Sequence, residues 1–309
     1  AIPDFSGERT SNIGMAEKTE ERLRMGCPVW AHKSWVGSFF TTDAKRSDYL
    51  PQYGSVFKAV EGNSSFYGLP AADTIKRWGE EVVPGFEFCF KFPRIVSHDL
   101  LLRNAEKETV EFIKRVEPLG SYLGSFFLQL PSHFEPRHLE YLVNFLKRLP
   151  TDYNFCVEVR NPRFFDGKND ACDFDQALSD LGVDRVIFDT RALFAAKPED
   201  EDTKDAQRRK HQLPVYKTAT GSRPFVRFVG HPKNGVTEKY LQEWVDPVLQ
   251  WLDQGLQPYF FVHMPDDHDA PQLGRRFSQL LAEAGLDIHI PKWPFELEPP
   301  EPEQMKLFK

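Results

Sequence analysis

The sequence lacks the short motifs that mark a metal site, a disulfide framework or a nucleotide cofactor. Its four cysteines show no C-x-x-C spacing, and we expect them to be reduced core residues. No H-x-H or H-x-x-x-H pair occurs among its histidines. There is also no G-x-G-x-x-G, no P-loop sequence and no G-x-S-x-G. We therefore predict no cofactor and no resident metal, and no spacing favours a serine nucleophile.

Long hydrophobic runs and an excess of positive charge are missing as well. No apolar run approaches the ~20 residues that a membrane helix needs, and the start of the chain lacks the apolar core of a signal peptide. We therefore expect a cytoplasmic protein with no membrane partner. The formal net charge of -7 argues against a surface that binds nucleic acid all over, although it leaves room for a local basic cleft.

What the chain does contain is an alternation of eight short apolar runs with helical patterns. The runs are almost continuously hydrophobic, as strands covered on both faces are, and the 27 phenylalanines supply large side chains for a core. The predicted strands are 27–32, 56–61, 86–92, 124–130, 154–160, 185–190, 224–230 and 258–264. Eight strand and helix pairs predict an α/β fold, the (β/α)8 TIM barrel, over residues 27–290. A doubly wound open sheet is the alternative.

Three segments fall outside this alternation. Residues 1–26 are charged and predict an arm or a short helix, and residues 291–309 are rich in proline and predict an extended strap. The segment 196–213 contains charges of both signs, which is typical of a solvated insertion or a flexible lid rather than of a nucleic-acid tail.

The alternation of side chains along a strand predicts which residues line the barrel. We take the polar residue near the carboxyl end of each strand as facing inward. The residues chosen in this way are Glu61, Lys91, Gln129, Glu158, Asp189, Arg227 and His263, with Arg160 on the same face as Glu158. Polar groups from seven strands would then meet at one mouth, where TIM barrels hold their active sites.

Two carboxylates of this set are candidates for acid and base chemistry. Glu61 and Glu158 lie on strands two and five, and a carboxyl group there can transfer protons if burial and neighbouring cations adjust its pKa. Both can equally form ion pairs that only fasten strands, and Arg160 is an obvious partner for Glu158. His98, in the loop after strand three, is a third catalytic candidate.

The cations of the mouth predict an anionic ligand. Lys91, Arg160 and Arg227, with His231 after strand seven, suit a phosphate or carboxylate group. Charge balance for the two glutamates is the competing explanation. The remaining candidates for substrate binding are Asn63, Tyr67, Gln129, Asp189 and His263.

Several motifs together resemble the YecE-like family, whose members carry domain of unknown function 72. They are V-E-G-N-S-S-F-Y at 60–67, 88–91 with His98, Leu119-Gly120 with Gln129-Leu130-Pro131, V-E-V-R at 157–160 with Phe164 and Phe165, Asp189, and V-R-F at 226–228 with Gly230. The resemblance covers residues 27–285 and implies a TIM barrel of no established activity.

The sequence therefore predicts an enzyme that acts on a phosphorylated or otherwise anionic small molecule or piece of nucleic acid, and it leaves hydrolase, isomerase and lyase as open reaction classes. Glu158 would be acid or base, Lys91, Arg160 and Arg227 would hold the anion, and Glu61, Asn63 and Gln129 would orient the substrate. Two alternatives stay open: a non-catalytic protein that binds nucleic acid, and a metal-dependent, endonuclease-like hydrolase. The sequence does not determine the oligomeric state.

Overall fold

The computed structural model describes residues 19–167, 169–233 and 235–299. Eight short parallel strands form its centre, and nearly all of their residues are buried, which explains their continuous hydrophobicity. The strands are β1 (Arg24–Cys27), β2 (Ala59–Gly62), β3 (Glu87–Phe90), β4 (Phe126–Gln129), β5 (Phe155–Glu158), β6 (Asp184–Asp189), β7 (Phe225–Val229) and β8 (Tyr259–His263).

The strands follow the order β3-β2-β1-β8-β7-β6-β5-β4. The sheet closes between β3 and β4 through isolated parallel bridges, Phe88 with Leu123 and Lys91 with Phe127. Two backbone hydrogen bonds support this closure: Gly124 N–H donates to Phe88 O at 3.0 Å, and Phe92 N–H donates to Phe127 O at 2.9 Å. The predicted TIM barrel is confirmed.

Helices surround the strands, and most have an apolar face toward the barrel. They are α1 (Tyr49–Gly54), α2 (Ala72–Glu81), α3 (Glu106–Val116), α4 (Leu139–Leu146), α5 (Asn169–Asp180), α6 (Arg191–Phe194), α7 (Glu201–Arg209), α8 (Val236–Gln242), α9 (Val245–Asp253) and α10 (Ala270–Glu283). None of the helices in this part of the chain is long and apolar enough to cross a membrane.

Two sets of buried side chains show which way each strand faces. The inner set fills the barrel and consists of Ala59, Cys89, Phe127, Cys156, Val186, Phe225, Tyr259 and Phe261. The outer set joins the strands to the helices and includes Val60, Phe88, Leu128, Val157, Phe228 and Val262. The predicted alternation is therefore confirmed for β2, β3, β4, β5, β7 and β8.

The first strand was predicted in the wrong place. It is Arg24–Cys27 rather than 27–32. Its residues do not form an apolar run, since Arg24 belongs to the strand. This arginine can be buried because it forms an ion pair with Glu87 at 3.0 Å. At Gly26 a Cβ atom would lie 1.9 Å from the carbonyl oxygen of Ala59, so only glycine fits there.

A polar cluster lies at the amino-terminal end of the barrel. Glu87 accepts hydrogen bonds from Arg24 and from the Tyr259 hydroxyl, and Arg223 donates to the same hydroxyl at 2.9 Å. Asp184, at the start of β6, accepts from Arg223 N–H at 3.0 Å. Polar groups at this end of a TIM barrel serve stability rather than catalysis.

The predicted insertion contains a helix. Asp200 caps α7: its side chain accepts a hydrogen bond from Thr203 N–H at 2.7 Å. Part of the predicted C-terminal strap packs on α10: the guanidinium of Arg275 lies over the Trp293 ring, 3.7 Å from its centroid. The prediction of an N-terminal arm lies largely outside the described residues, as does the end of the strap.

Candidate functional site

The carboxyl ends of the strands bring together most of the predicted residues. Glu61, Gln129, Glu158, Arg227 and His263 stand at or near the ends of β2, β4, β5, β7 and β8. Lys91 follows β3 by one residue and Arg160 follows β5 by two. Because parallel strands all end at the same side of a barrel, these seven side chains form one polar mouth.

Arg227 is the central residue of the mouth. Its guanidinium donates to both oxygens of Glu61, at 2.8 and 2.6 Å, and to Glu158 Oε2 at 2.7 Å. All three side chains are almost completely buried. A forked guanidinium between two carboxylates joins β7 to β2 and to β5 on opposite sides of the barrel.

Arg160 and Gln129 extend this network. Arg160 donates to Glu158 Oε1 at 2.7 Å and to Gln129 Oε1 at 2.8 Å. The same Gln129 oxygen accepts a hydrogen bond from Lys91 Nζ at 2.8 Å. Two cations therefore share one neutral acceptor, and the Arg160 side chain is 18% exposed.

Both glutamates carry a charge at neutral pH. Burial opposes the ionisation of Glu158, but Arg160 and Arg227 outweigh it and lower its pKa to about 2. Burial also opposes the ionisation of Glu61, yet Arg227 and His263 hold its pKa well below the usual value. His263 Nε2 lies 3.2 Å from Glu61 Oε2, and burial lowers the pKa of this histidine. Neither carboxyl group is a proton donor at neutral pH.

Lys91 differs from the other cations of the mouth. Its ammonium lies over the Phe66 ring, 4.1 Å from the centroid, and 5.7 Å from that of Phe127. No carboxylate of the described residues lies within ion-pair distance of Nζ, because the guanidinium groups occupy both glutamates. Burial, then the charge of Arg227, lowers the pKa of Lys91 to about 7.

His98 and Tyr67 lie at the rim of the mouth. A π-helical turn, Ile95–Asp99, carries His98, whose ring packs edge-on against Phe66. Burial, then the charge of Lys91, lowers the pKa of His98 to about 4, so the ring is neutral at pH 7. Tyr67 is 85% exposed and contacts the edge of Phe66.

Asn63 supports the network from the loop after β2. Its side-chain amide donates to Glu61 Oε1 at 2.7 Å. It follows the end of the strand within a 3-10 turn, Asn63–Phe66, and so fixes the carboxylate that also binds Arg227.

The inward assignment of Asp189 was wrong. Asp189 is fully buried, but it accepts hydrogen bonds from Trp244 Nε1 at 2.8 Å and from the Arg191 guanidinium, on the helical side of the sheet. Its neighbour Phe188 faces the mouth instead, 5.1 Å from the Arg227 guanidinium. On β6 the inward residues are thus Val186 and Phe188.

His231 is buried beside the mouth, in the loop after β7. Its Nδ1 accepts from Lys233 N–H at 2.9 Å, which makes Nε2 the protonated nitrogen. That buried Nε2–H has no hydrogen-bond partner in the described residues. Within the described residues, the His231 ring forms no hydrogen bond with Glu61, Glu158 or Arg227.

Lys210 is a residue of the mouth that the sequence did not reveal. It follows α7, and its ammonium lies 5.9 Å from the Phe188 ring centroid, while Arg160 lies 5.3 Å from the same centroid. Burial, then the charge of Arg227, lowers the pKa of Lys210 to about 8. No signal in the mixed-charge run 197–210 separates this lysine from its exposed neighbours.

Possible metal ligands are not clustered in the described parts of the chain. No group of three or more His, Cys, Asp or Glu side chains there could hold a metal ion together. Around the mouth, Glu61 and Glu158 turn their oxygens toward guanidinium groups instead.

Comparisons with known proteins agree with the fold. The chain is 39% identical over 251 residues to the UPF0759 protein YecE of Escherichia coli K12, covering 81% of this chain and 89% of the relative. A crystal structure of a DUF72 family protein from Thermotoga maritima covers 84% of this chain and 99% of its own, with a TM-score of 0.65 and 20% identity. One from Enterococcus faecalis has a TM-score of 0.64 and 18% identity, with 84% and 95% covered. At these identities the two structures support the fold alone.

A family model settles the relationship that the motifs predicted. The model described as "Protein of unknown function DUF72" matches residues 24–296, which include every strand of the barrel and every residue of the mouth. The chain belongs to the DUF72 family.

Proposed function

We propose that the protein is an enzyme that acts on a small anionic molecule, whose phosphate or carboxylate group binds in the mouth between Arg160 and Lys210. The observation that supports this is an excess of positive charge. Glu61 and Glu158 are balanced by Arg227 and Arg160, whereas Lys91 and Lys210 have no carboxylate at ion-pair distance in the described residues.

The two excess lysines are held at an electrostatic cost. Both have lowered pKa values, and in both the charge of Arg227 adds to the effect of burial. Carboxylates are plentiful in a chain with a net charge of -7, yet none in the described residues pairs with Lys91 or Lys210. A bound anion would neutralise part of this excess, so the charges favour occupation by an anion.

The proposed anion position lies above Phe188. Arg160 and Lys210 both flank this ring, and both residues are partly exposed. A guanidinium fork and an ammonium together suit the oxygens of a phosphate or carboxylate. The apolar ring excludes water from one side and strengthens the attraction.

The chemical step falls to a different group in this proposal. Glu158 stays ionised at neutral pH and holds two guanidinium groups, so it serves as a positioning residue. Lys91, with a pKa of about 7, is suited to gain or lose a proton near neutral pH. It lies across the mouth from Phe188, over Phe66.

Calorimetric titration with inorganic phosphate tests the anion site. The wild type should bind phosphate, and Lys210→Met should bind it at least about 10-fold more weakly, because one charge-assisted hydrogen bond contributes about 1.5–3 kcal/mol. Lys204→Met is the matched control, since Lys204 is an exposed lysine of α7 that pairs with Glu201. Equal affinity in Lys210→Met, or no binding to the wild type, would contradict the proposal.

A turnover screen tests the enzymatic part. The protein is incubated with sets of phosphorylated sugars and of oxo acids, and mass spectrometry detects conversion. We expect conversion by the wild type and loss of it in Lys91→Met. Binding of an oligonucleotide that weakens steeply with salt, with no conversion of any small molecule, would point instead to a nucleic-acid-binding protein.

A further inference from the structure

We propose that Lys91 is a nucleophile that forms an imine with the carbonyl carbon of the substrate, so that the substrate class is an anionic aldehyde or ketone. This inference rests on the proposed function: Arg160, which would hold the anion, and Lys91 both donate to Gln129 Oε1 at 2.8 Å, so a substrate bound at Arg160 lies close to Lys91. It goes beyond that function by naming the bond that forms.

The surroundings of the amine favour addition over simple charge pairing. Among the described residues, Lys91 Nζ has a single hydrogen-bond partner, the neutral oxygen of Gln129 at 2.8 Å. Its flanks are the aromatic rings of Phe66 and Phe127. A lysine that serves only as a counter-charge would lie against Glu158 or Glu61, but Arg160 and Arg227 occupy both of them.

Burial is the main reason that part of the Lys91 amine is uncharged. The charges of Arg227 and Arg160 disfavour its protonation further. At pH 7 about half of such an amine is neutral, compared with less than about one in a thousand for an exposed lysine. Desolvation near a second cation is an established way to activate a lysine for addition to carbonyl groups.

The proposed step balances without an oxidant or a metal. The neutral amine adds to the carbonyl carbon, and the electron pair of the C=O bond moves to oxygen. A proton passes from nitrogen to that oxygen, which gives a carbinolamine. The nitrogen lone pair then forms the C=N bond as the hydroxyl group leaves, and the second proton of the nitrogen passes to this group, which gives water and the neutral imine. His98, neutral at pH 7 and packed on the same Phe66 ring, is a candidate proton carrier.

Reductive trapping tests the inference directly. The full-length protein is treated at pH 7 with glyoxylate, the smallest oxo acid, and cyanoborohydride, and each lysine is then followed by peptide mass spectrometry. Hydride adds to the imine carbon, so each trapped lysine gains a carboxymethyl group. We expect Lys91 to be modified at least about 100-fold faster than the exposed Lys58 and Lys204 of the same molecules.

Two variants separate this inference from the proposed function. Lys91→Arg keeps a cation but cannot form an imine, so the selective modification should disappear while phosphate still binds. Lys210→Met should slow the trapping of Lys91, because glyoxylate loses part of its anion site. Phosphate binding without selective modification of Lys91 would overturn the nucleophile and leave the anion site intact. Selective modification that is insensitive to phosphate and to Lys210→Met would overturn the anion site instead. If Lys91→Arg does not fold, the comparison of lysines within the wild type still decides the question.

Discussion

Arg227 shows how single residues shape the mouth. Its guanidinium lies between Glu61 and Glu158, and all three groups are removed from water. Such a triad is expensive to desolvate, and well-packed apolar residues could stabilise a barrel equally well. Its advantage is position: it fixes two carboxylates, orients Arg160 through Glu158, and leaves Gln129 as the acceptor for Lys91 in the described part of the chain.

The first residue-scale prediction concerns the stability that Glu158 contributes. Replacement by Gln should lower the free energy of unfolding at pH 7 by about 3 kcal/mol, because the buried guanidinium of Arg227 and the partly buried one of Arg160 lose a charged partner. Urea denaturation measures this. The exposed pair of Glu106 with Arg148 provides the control, since Glu106→Gln should change stability by less than about 1 kcal/mol.

The pH dependence of that difference has a definite sign. The pKa of Glu158 is lowered from 4.5 to about 2 in the folded protein, so its ionised form stabilises the fold above pH 4.5. This contribution is lost as pH falls from 4.5 toward 2. The difference in free energy of unfolding between the wild type and Glu158→Gln should therefore decrease over that interval. A constant difference would mean that the charge of Glu158 is not what stabilises the mouth.

The second residue-scale prediction concerns Asp184 at the opposite end of the barrel. Burial raises its pKa to about 7, and its Oδ1 has no hydrogen-bond partner in the described residues. The folded protein keeps this proton above pH 3.8, where the unfolded chain releases it, so the contribution of Asp184 to stability should fall as pH rises from about 4 to about 7. The slope of this contribution is at most about 1.4 kcal/mol per pH unit. Urea denaturation across this range should show that the free energy of unfolding of the wild type falls relative to that of Asp184→Asn, whereas its difference from the exposed Asp253→Asn stays constant.

At the scale of elements, the sequence predicts strands well where burial is apolar and poorly where it is polar. Seven strands were found as apolar runs. β1 was missed because two of its residues are not large and apolar. Arg24 is buried through an ion pair, and Gly26 lies where the backbone of the neighbouring strand leaves no room for a side chain. The inward face of β6 was misassigned because Asp189, its last polar residue, pairs with Arg191 and Trp244 among the helices. Glu87, the partner of Arg24, and Trp244, a partner of Asp189, are distant in the sequence and cannot be recognised from the local pattern.

The same limit applies to the candidate site. Glu61, Glu158, Arg160 and Arg227 could be placed together, since alternation along strands is a local rule. Lys210 could not, because it reaches the mouth through the path of the chain around α7. That path depends on tertiary packing, such as the burial of Thr203 and Ala206.

The prediction at the scale of elements concerns α7, which leads the chain to Lys210. Asp200 caps this helix by accepting hydrogen bonds from the N–H and the hydroxyl group of Thr203. Loss of a cap costs about 1 kcal/mol. Asp200→Ala should therefore speed amide hydrogen exchange in α7, weaken phosphate binding through Lys210, and leave exchange in the strands unchanged. Mass spectrometry of exchanged peptides measures this.

A neighbouring aspartate supplies the control for the cap. Asp202→Ala also removes a carboxylate from the first turn of α7, where acidic residues favour the helix, but it leaves the hydrogen bonds to Thr203 in place. Its effect on exchange should be smaller than that of Asp200→Ala. Equal effects of the two variants would show that charge near the helix start, and not the cap, holds α7 in place.

At the scale of the whole molecule, the barrel has one weak closure. Other neighbouring strands pair along continuous ladders, whereas β3 and β4 meet through isolated bridges. Lys91 follows β3 and Gln129 ends β4, so their side-chain hydrogen bond at 2.8 Å crosses this closure. The residue to which we assign the chemistry thus also helps to hold the barrel shut.

The last prediction tests this double role. In Lys91→Met the side-chain bond across the closure is lost, and the amide of Phe92, which donates to Phe127 O at 2.9 Å, should exchange about 5-fold faster, since a typical hydrogen bond contributes about 1 kcal/mol. The exchange rates of the amides between β7 and β8, which lie away from this closure, should not change, because local opening affects only the bonds that it breaks. Lys58→Met is the control, as Lys58 precedes β2 with an exposed side chain. Faster exchange in all strands alike would mean that Lys91 stabilises the fold as a whole. Faster exchange limited to the closure would mean that the lysine to which we assign the chemistry also holds β3 and β4 together.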